Sequence, residues 1–316
     1  MNSYFLPIGL LLALLVSMLE PFPGTLLQQR GLVPWMVVTI FLINGYQVNL
    51  RQLPHRGKLF PASMAGILIS LLISPLVGLA VVSTVALPTG FALGLVVMAT
   101  VPPTLSSGIA MTQMAGGNVA KALFLTILLN LIGVFTVPFM LQLTLGSAGL
   151  VSLSALPVLK QLLLLVLIPF AIGVLSQSVL RIPQRHLLLR YLPLSCVIGT
   201  VWMSASASSD ALKGLDIALL LMVAIGSLGI HGSLLLLCWL SRYIYRPERS
   251  EWLALLFTAS QKTLPIGLGV LAIMNRSVGT AMVACIVYHF LQLFVDSMIA
   301  ARMGRKNGSP ETTNHA

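Results

Sequence analysis

Ser260, Gln261, Lys262 and Thr263 stand side by side inside an apolar run, FTASQKTLPIGLGVLA at residues 257–272, with Pro265 close behind. Lys262 lies about eleven residues from either end of its apolar segment. If that segment is buried in lipid, the ammonium cannot snorkel to water, and leaving it unpaired at the bilayer centre costs about 3 kcal/mol or more. It must find carbonyls or hydroxyls. Three roles are open to it: a fixed cation standing in for a mobile ion such as sodium, a group that carries a proton, or a structural tie.

A second stretch has the same character. In VPPTLSSGIAMTQMAGG, residues 101–117, Pro102 and Pro103 interrupt an apolar run that also holds Thr104, Ser106, Ser107, Gly108 and Thr112. Proline removes a backbone donor and disrupts the helical ladder. The freed groups are very costly against lipid, but where they line a polar cavity they become ligands. The carbonyl end of a half-helix attracts cations, and the N–H end attracts anions. For one such segment a packing kink is an equally good reading. Two matched segments carrying hydroxyl, amide and ammonium groups point to a site. Residues 102–107 and 260–266 are therefore expected to be non-helical or kinked and to meet near the bilayer midplane. Lys262 is expected to point between the crossing half-helices, toward Ser106, Ser107, Thr126 or Asn130.

Other polar residues sit alone in apolar segments. Asn130 is either helix glue or an ion ligand. His289, Gln292 and Asp296 follow spacings that place them on one helical face. Taken alone they read as a histidine capped by a backbone carbonyl and an aspartate near the cytoplasmic end. His231, between glycines in IGSLGIHGSLLLL, reads as an interhelical hydrogen bond.

The elements that position these residues are membrane helices. Apolar residues make up 57% of the 316-residue chain and charged ones 8%, too few to cover a water-facing surface. Apolar runs predict ten spans near 4–22, 31–49, 59–85, 88–114, 118–144, 153–178, 188–207, 216–243, 251–275 and 278–302. The first is expected to be retained rather than cleaved as a signal. The net charge of +11 is spread over short gaps between spans, which points away from nucleic acid. Cys196, Cys238 and Cys285 read as buried hydrophobes. No HExxH, GxSxG or phosphate loop is present, so no enzyme chemistry or cofactor is implied.

With the N-terminus in the cytoplasm, thirteen cationic residues fall on that side: Arg51, Arg56, Lys58, Lys121, Arg181, Arg185, Arg190, Arg242, Arg246, Arg249, Arg302, Arg305 and Lys306. Four fall outside: Arg30, Lys160, Lys213 and Arg276. That asymmetry predicts both termini in the cytoplasm. Ten spans divide into two inverted sets of five, residues 1–145 and 150–302, followed by a disordered tail at 303–316. The interrupted segments are the fourth and ninth spans. They occupy matching positions in the two halves, the best sequence pointer to a transporter's binding site.

At these residues the chain resembles the bile acid:sodium symporter superfamily. It is most similar to the branch of bacterial sodium-dependent transporters akin to the seventh member of the human solute carrier family 10. The resemblance rests on FLINGYQVNLRQL, on PPTLSSGIAMTQMAGGNVAKALFLTILLNLIGVFTVP and on FTASQKTLPIGLGVLA, in that order. It implies an all-α fold with a panel of spans one, two, six and seven beside a core of the other six. It also implies crossing of the broken spans four and nine, alternating access, and an organic-anion substrate often coupled to sodium. For a first sodium site it implies Ser106, Ser107, Thr126 and Asn130. The acidic position of the motif falls at Thr258, so that carboxylate is missing. For a second site it implies Gln261 and Thr263, with Lys262 intruding between them. His289 and Gln292 match the substrate-contacting span.

The leading expectation is a secondary carrier of a small organic anion in a bacterial inner (cell) membrane, coupled to sodium, to protons or to neither. The lipid bilayer is its surrounding partner. No oligomeric state is read from the sequence. The alternative is a transport-incompetent membrane regulator or scaffold with the same fold, motivated by Thr258. A channel would show rings of polar residues along several spans, and here they concentrate at two breaks.

Overall fold

The computed structural model describes residues 5–48, 60–180, 183, 186–210, 216–274 and 279–305. Eight of the residues behind the charge asymmetry lie outside these ranges: Arg51, Arg56, Lys58, Arg181, Arg185, Lys213, Arg276 and Lys306. So do tail residues 306–316.

All described elements are helical. The first half runs α1 (Phe5–Leu19), α2 (Pro21–Gln29), α3 (Leu32–Gln47), α4 (Phe60–Thr84), α5 (Thr89–Thr100), α6 (Ser107–Met114) and α7 (Val119–Ser147). The second runs α8 (Ala155–Ser176), α9 (Leu187–Ser206), α10 (Ile217–Tyr245), α11 (Arg249–Ala259), α12 (Leu264–Ile273) and α13 (Gly279–Arg305). α13 continues past residue 302, where the tail was expected to begin. Caps fix several starts: the Asn118 side chain accepts from Lys121 N at 3.0 Å, and Asp216 accepts from Ala218 N at 3.1 Å.

Seven helical segments are long and apolar enough to cross a membrane. The N-terminal pair would make an eighth, but it bends by 100° before Pro21. α3 and α5 are apolar and shorter than this standard. The molecule is thus an all-helical, integral membrane protein with seven such spans among the described residues.

Two groups of helices emerge from the packing. α1, α2, α3, α8 and α9 pack chiefly on one another, and α4 to α7 with α10 to α13 form the second group. In the first, Gly45 and Gly173 let α3 and α8 touch backbone to backbone: a Cβ at Gly45 would lie 2.2 Å from the Phe170 carbonyl. In the second, the α11–α12 span is enclosed, with every residue of its apolar window buried. That enclosure is what makes a polar interruption tolerable there.

Two stretches widen into π-helix, Ile67–Ile73 within α4 and Leu163–Leu167 within α8. Each ends two residues before a proline, Pro75 and Pro169. A missing N–H disturbs the regular ladder, and a π turn absorbs the disturbance.

Candidate functional site

Both interruptions are present, and they meet. α5 ends at Thr100; Val101 is extended ahead of Pro102, as a residue before proline prefers, and helix resumes at Ser107. α11 ends at Ala259 and α12 begins at Leu264. Pro265 sits in the first turn of α12, where proline suits a helix, so the second break closes sooner than expected. Thr263 N donates to the Pro102 carbonyl at 3.0 Å. Gly108 permits the approach, since a Cβ there would lie 2.7 Å from the Phe257 carbonyl.

Several of the backbone groups freed by the breaks have identifiable partners, as burial favours. Asn130 Nδ2 donates to Pro103 O at 3.0 Å and to Thr126 O at 2.8 Å. Gln292 spans the Lys262 peptide: its Oε1 accepts from Lys262 N at 2.9 Å, and its Nε2 donates to Lys262 O at 2.7 Å. His231 Nδ1 lies 3.3 Å from Ser260 O.

Side chains tie the same region together. Gln261 Oε1 accepts from Thr104 Oγ1 and Ser107 Oγ, each at 2.6 Å. Its Nε2 donates to Asp296 Oδ2 at 2.7 Å, and Asp296 Oδ1 accepts from His231 Nε2 at 2.9 Å. His231 thus joins α10 to Ser260 in the break and to Asp296 on α13, the interhelical bonding expected of it. Asp296 is fully buried and reaches the break through Gln261. Thr258, at the motif's acidic position, bonds its own helix at Ala254 O, 2.6 Å away. A carboxylate therefore reaches the crossing from α13 instead.

Lys262 takes another course. Its side chain is fully buried, and Nζ donates to Ser70 O at 2.6 Å and to Ser70 Oγ at 3.3 Å. The expectation that it points toward Ser106, Ser107, Thr126 or Asn130 is corrected accordingly. The reason lies in α4. Ser74 N bonds Ile69 O in the π pattern, and the next residue, Pro75, has no N–H for Ser70 O. That carbonyl is left open for the ammonium. Sequence reasoning missed Ser70; its signal was a serine pair, Ser70 and Ser74, one turn apart in an apolar span.

Two oxygens in the crossing have no hydrogen-bond partner although buried: Thr126 Oγ1 and Asn130 Oδ1. Asn130 is oriented by its two carbonyl acceptors, so its free atom is the oxygen.

A cavity of about 780 Å³ opens beside the crossing, between the two helix groups. The second group lines it with Thr104, Ser106, Ser107, Thr263, Pro265 and His289. The first group adds Asn44, Gln47 and Arg190 among apolar residues of α1, α3 and α9. Asn44 and Gln47 lie in the FLINGYQVNLRQL stretch, and Arg190 sits in an ordinary-looking loop-to-helix junction; none of the three was singled out by its surroundings. Ser106 is exposed to the cavity, while Gln261, Lys262, Thr126, Asn130 and Gln292 are not among its lining residues. Gln292, expected to contact substrate with His289, is fully buried behind it.

Broken helices crossing beside a cavity are a transporter's geometry. A sequence model for the SBF-like CPA transporter family matches residues 4–305. The chain belongs to that family. A probable sodium/metabolite cotransporter BASS4, chloroplastic, of Oryza sativa subsp. japonica is 30% identical over 320 residues, covering 94% of this chain and 75% of the rice protein. The Arabidopsis thaliana protein of the same description is 26% identical, covering 94% of this chain and 72% of its own length. Sodium/bile acid cotransporter 7 of Mus musculus is 25% identical, covering 65% of this chain and 62% of the mouse protein. Members of the family are transporters, not enzymes. The transporter carries its polar groups where broken spans can hold them, and its cavity where two helix groups face each other.

Proposed function

We propose that the chain is a secondary active transporter of a small organic anion, coupled to sodium, working by movement of one helix group against the other. The observation that carries this reading is the Thr263–Pro102 contact, which joins two broken helices directly beside the cavity. The cavity suits an amphipathic anion: apolar walls, hydroxyl and imidazole groups at the crossing, and Arg190 on the opposite wall.

Sodium would be held in the crossing by Thr126 Oγ1 and Asn130 Oδ1, two buried oxygens without a hydrogen-bond partner. Lys262 supplies a cationic group on the other side of the break, held by Ser70. In this reading the ammonium replaces one mobile ion and leaves the other in place. The division into inverted repeats of residues 1–145 and 150–302 accounts for the matched breaks. With both termini in the cytoplasm, the cavity end marked by Gln47 and Arg190 faces inward, into the cytoplasm of a bacterial cell.

Thermal unfolding of the purified protein across a panel of organic carboxylates, sulfates and sulfonates, with and without sodium, tests the proposal. An anion that stabilises the protein more in sodium than in choline supports it. No stabilisation by any anion in either salt would favour a membrane scaffold.

A further inference from the structure

Gln292 is fully buried on α13 with its amide orientation fixed by chemistry. Its Oε1 faces the Lys262 N–H and its Nε2 faces the Lys262 carbonyl, so oxygen and nitrogen cannot be exchanged. The second hydrogen on Nε2 is directed to His289 Nδ1, 2.9 Å away. A donor aimed at Nδ1 requires a lone pair there. The ring proton of neutral His289 must then sit on Nε2, and His289 lines the cavity.

We propose that Gln292 is a positioning residue that joins the Lys262 peptide to His289 and holds His289 as a neutral Nε2–H donor for the cavity. The peptide it grips lies in the break, one bond away from the side chain that reaches Ser70. The donor it sets is offered where a substrate oxygen would sit. Gln292 therefore links cavity and charged site without touching substrate. The substrate half of this inference rests on the transport reading above; the tautomer does not.

Histidine labelled with nitrogen-15 in the full chain, held in lipid nanodiscs without added anion, reads the tautomer directly. His289→Gln assigns the signal among His55, His186, His231, His289 and His315. The expected spectrum shows His289 with a bare Nδ1 and a protonated Nε2. Gln292→Leu removes the Nε2 donor and has no hydrogen for Nδ1. It should release the tautomer, so that a resonance from protonated Nδ1 appears for His289. A proton on Nδ1 of the unaltered protein would overturn the proposal, and so would an undiminished bare-Nδ1 resonance in Gln292→Leu. The first measurement stands even if the variant fails to fold. Because no substrate is added, failure of the anion panel leaves this outcome untouched.

Discussion

The Thr263 amide donates to the Pro102 carbonyl at 3.0 Å, so the break in one membrane helix completes the break in another. Each interruption supplies what the other lacks, a carbonyl with no helical donor and an N–H with no helical acceptor. The contact depends on close approach at Gly108. Gly108→Ala should lower the unfolding midpoint in detergent, by the equivalent of about 1–3 kcal/mol, because its Cβ meets backbone that cannot rotate away. Gly232→Ala, with open space around its Cβ, should be neutral or slightly stabilising, by at most about 1 kcal/mol. Equal losses at both positions would argue against a tight crossing.

Pro75 leaves the Ser70 carbonyl open, and Lys262 occupies it. Pro75→Ala restores an N–H that competes with the ammonium. A double-mutant cycle of Pro75→Ala with Lys262→Met, read by unfolding in detergent, should give a coupling of about 0.5–3 kcal/mol. Additive effects would separate the π stretch from the lysine.

Removing one partner of the buried His231–Asp296 pair leaves donors or a carboxylate uncompensated, at a cost of about 3–5 kcal/mol. The paired replacement His231→Leu with Asp296→Leu should cost less than Asp296→Leu alone. An additive double replacement would mean that the two side chains do not stabilise each other.

Thr126 Oγ1 bonds nothing in the protein, so Thr126→Val should leave stability in choline unchanged or slightly higher. Sodium at a hundred times its dissociation constant should stabilise the unaltered protein by about 2.7 kcal/mol. The valine variant should lose most of that increment. A sodium response retained in full would place the ion elsewhere.

Much of the fold was legible because lipid enforces it. Apolar lengths located most helices to within a few residues, though not α2; adjacent prolines marked one break, and a polar run ahead of Pro265 marked the other. What stayed hidden was direction. The sequence places Lys262 at the middle of its span but is silent on which neighbour it faces, because that depends on a carbonyl freed by Pro75 in a helix far along the chain. Asp296 looked peripheral on spacing alone; its burial comes from α13 packing beneath the α11–α12 break. Arg190 and Asn44 reach the cavity through the packing of α3 and α9, which no local pattern records.

The central claim is that Lys262 holds the place of one mobile cation while sodium occupies the other. Equilibrium binding of radioactive sodium to the purified protein tests it most directly, counted per chain for the unaltered protein and for Lys262→Ala. The account predicts one sodium ion for the unaltered protein and a second in Lys262→Ala, with the first abolished by Thr126→Val. No sodium bound by the unaltered protein, or no additional ion when the ammonium is removed from a folded variant, would contradict it.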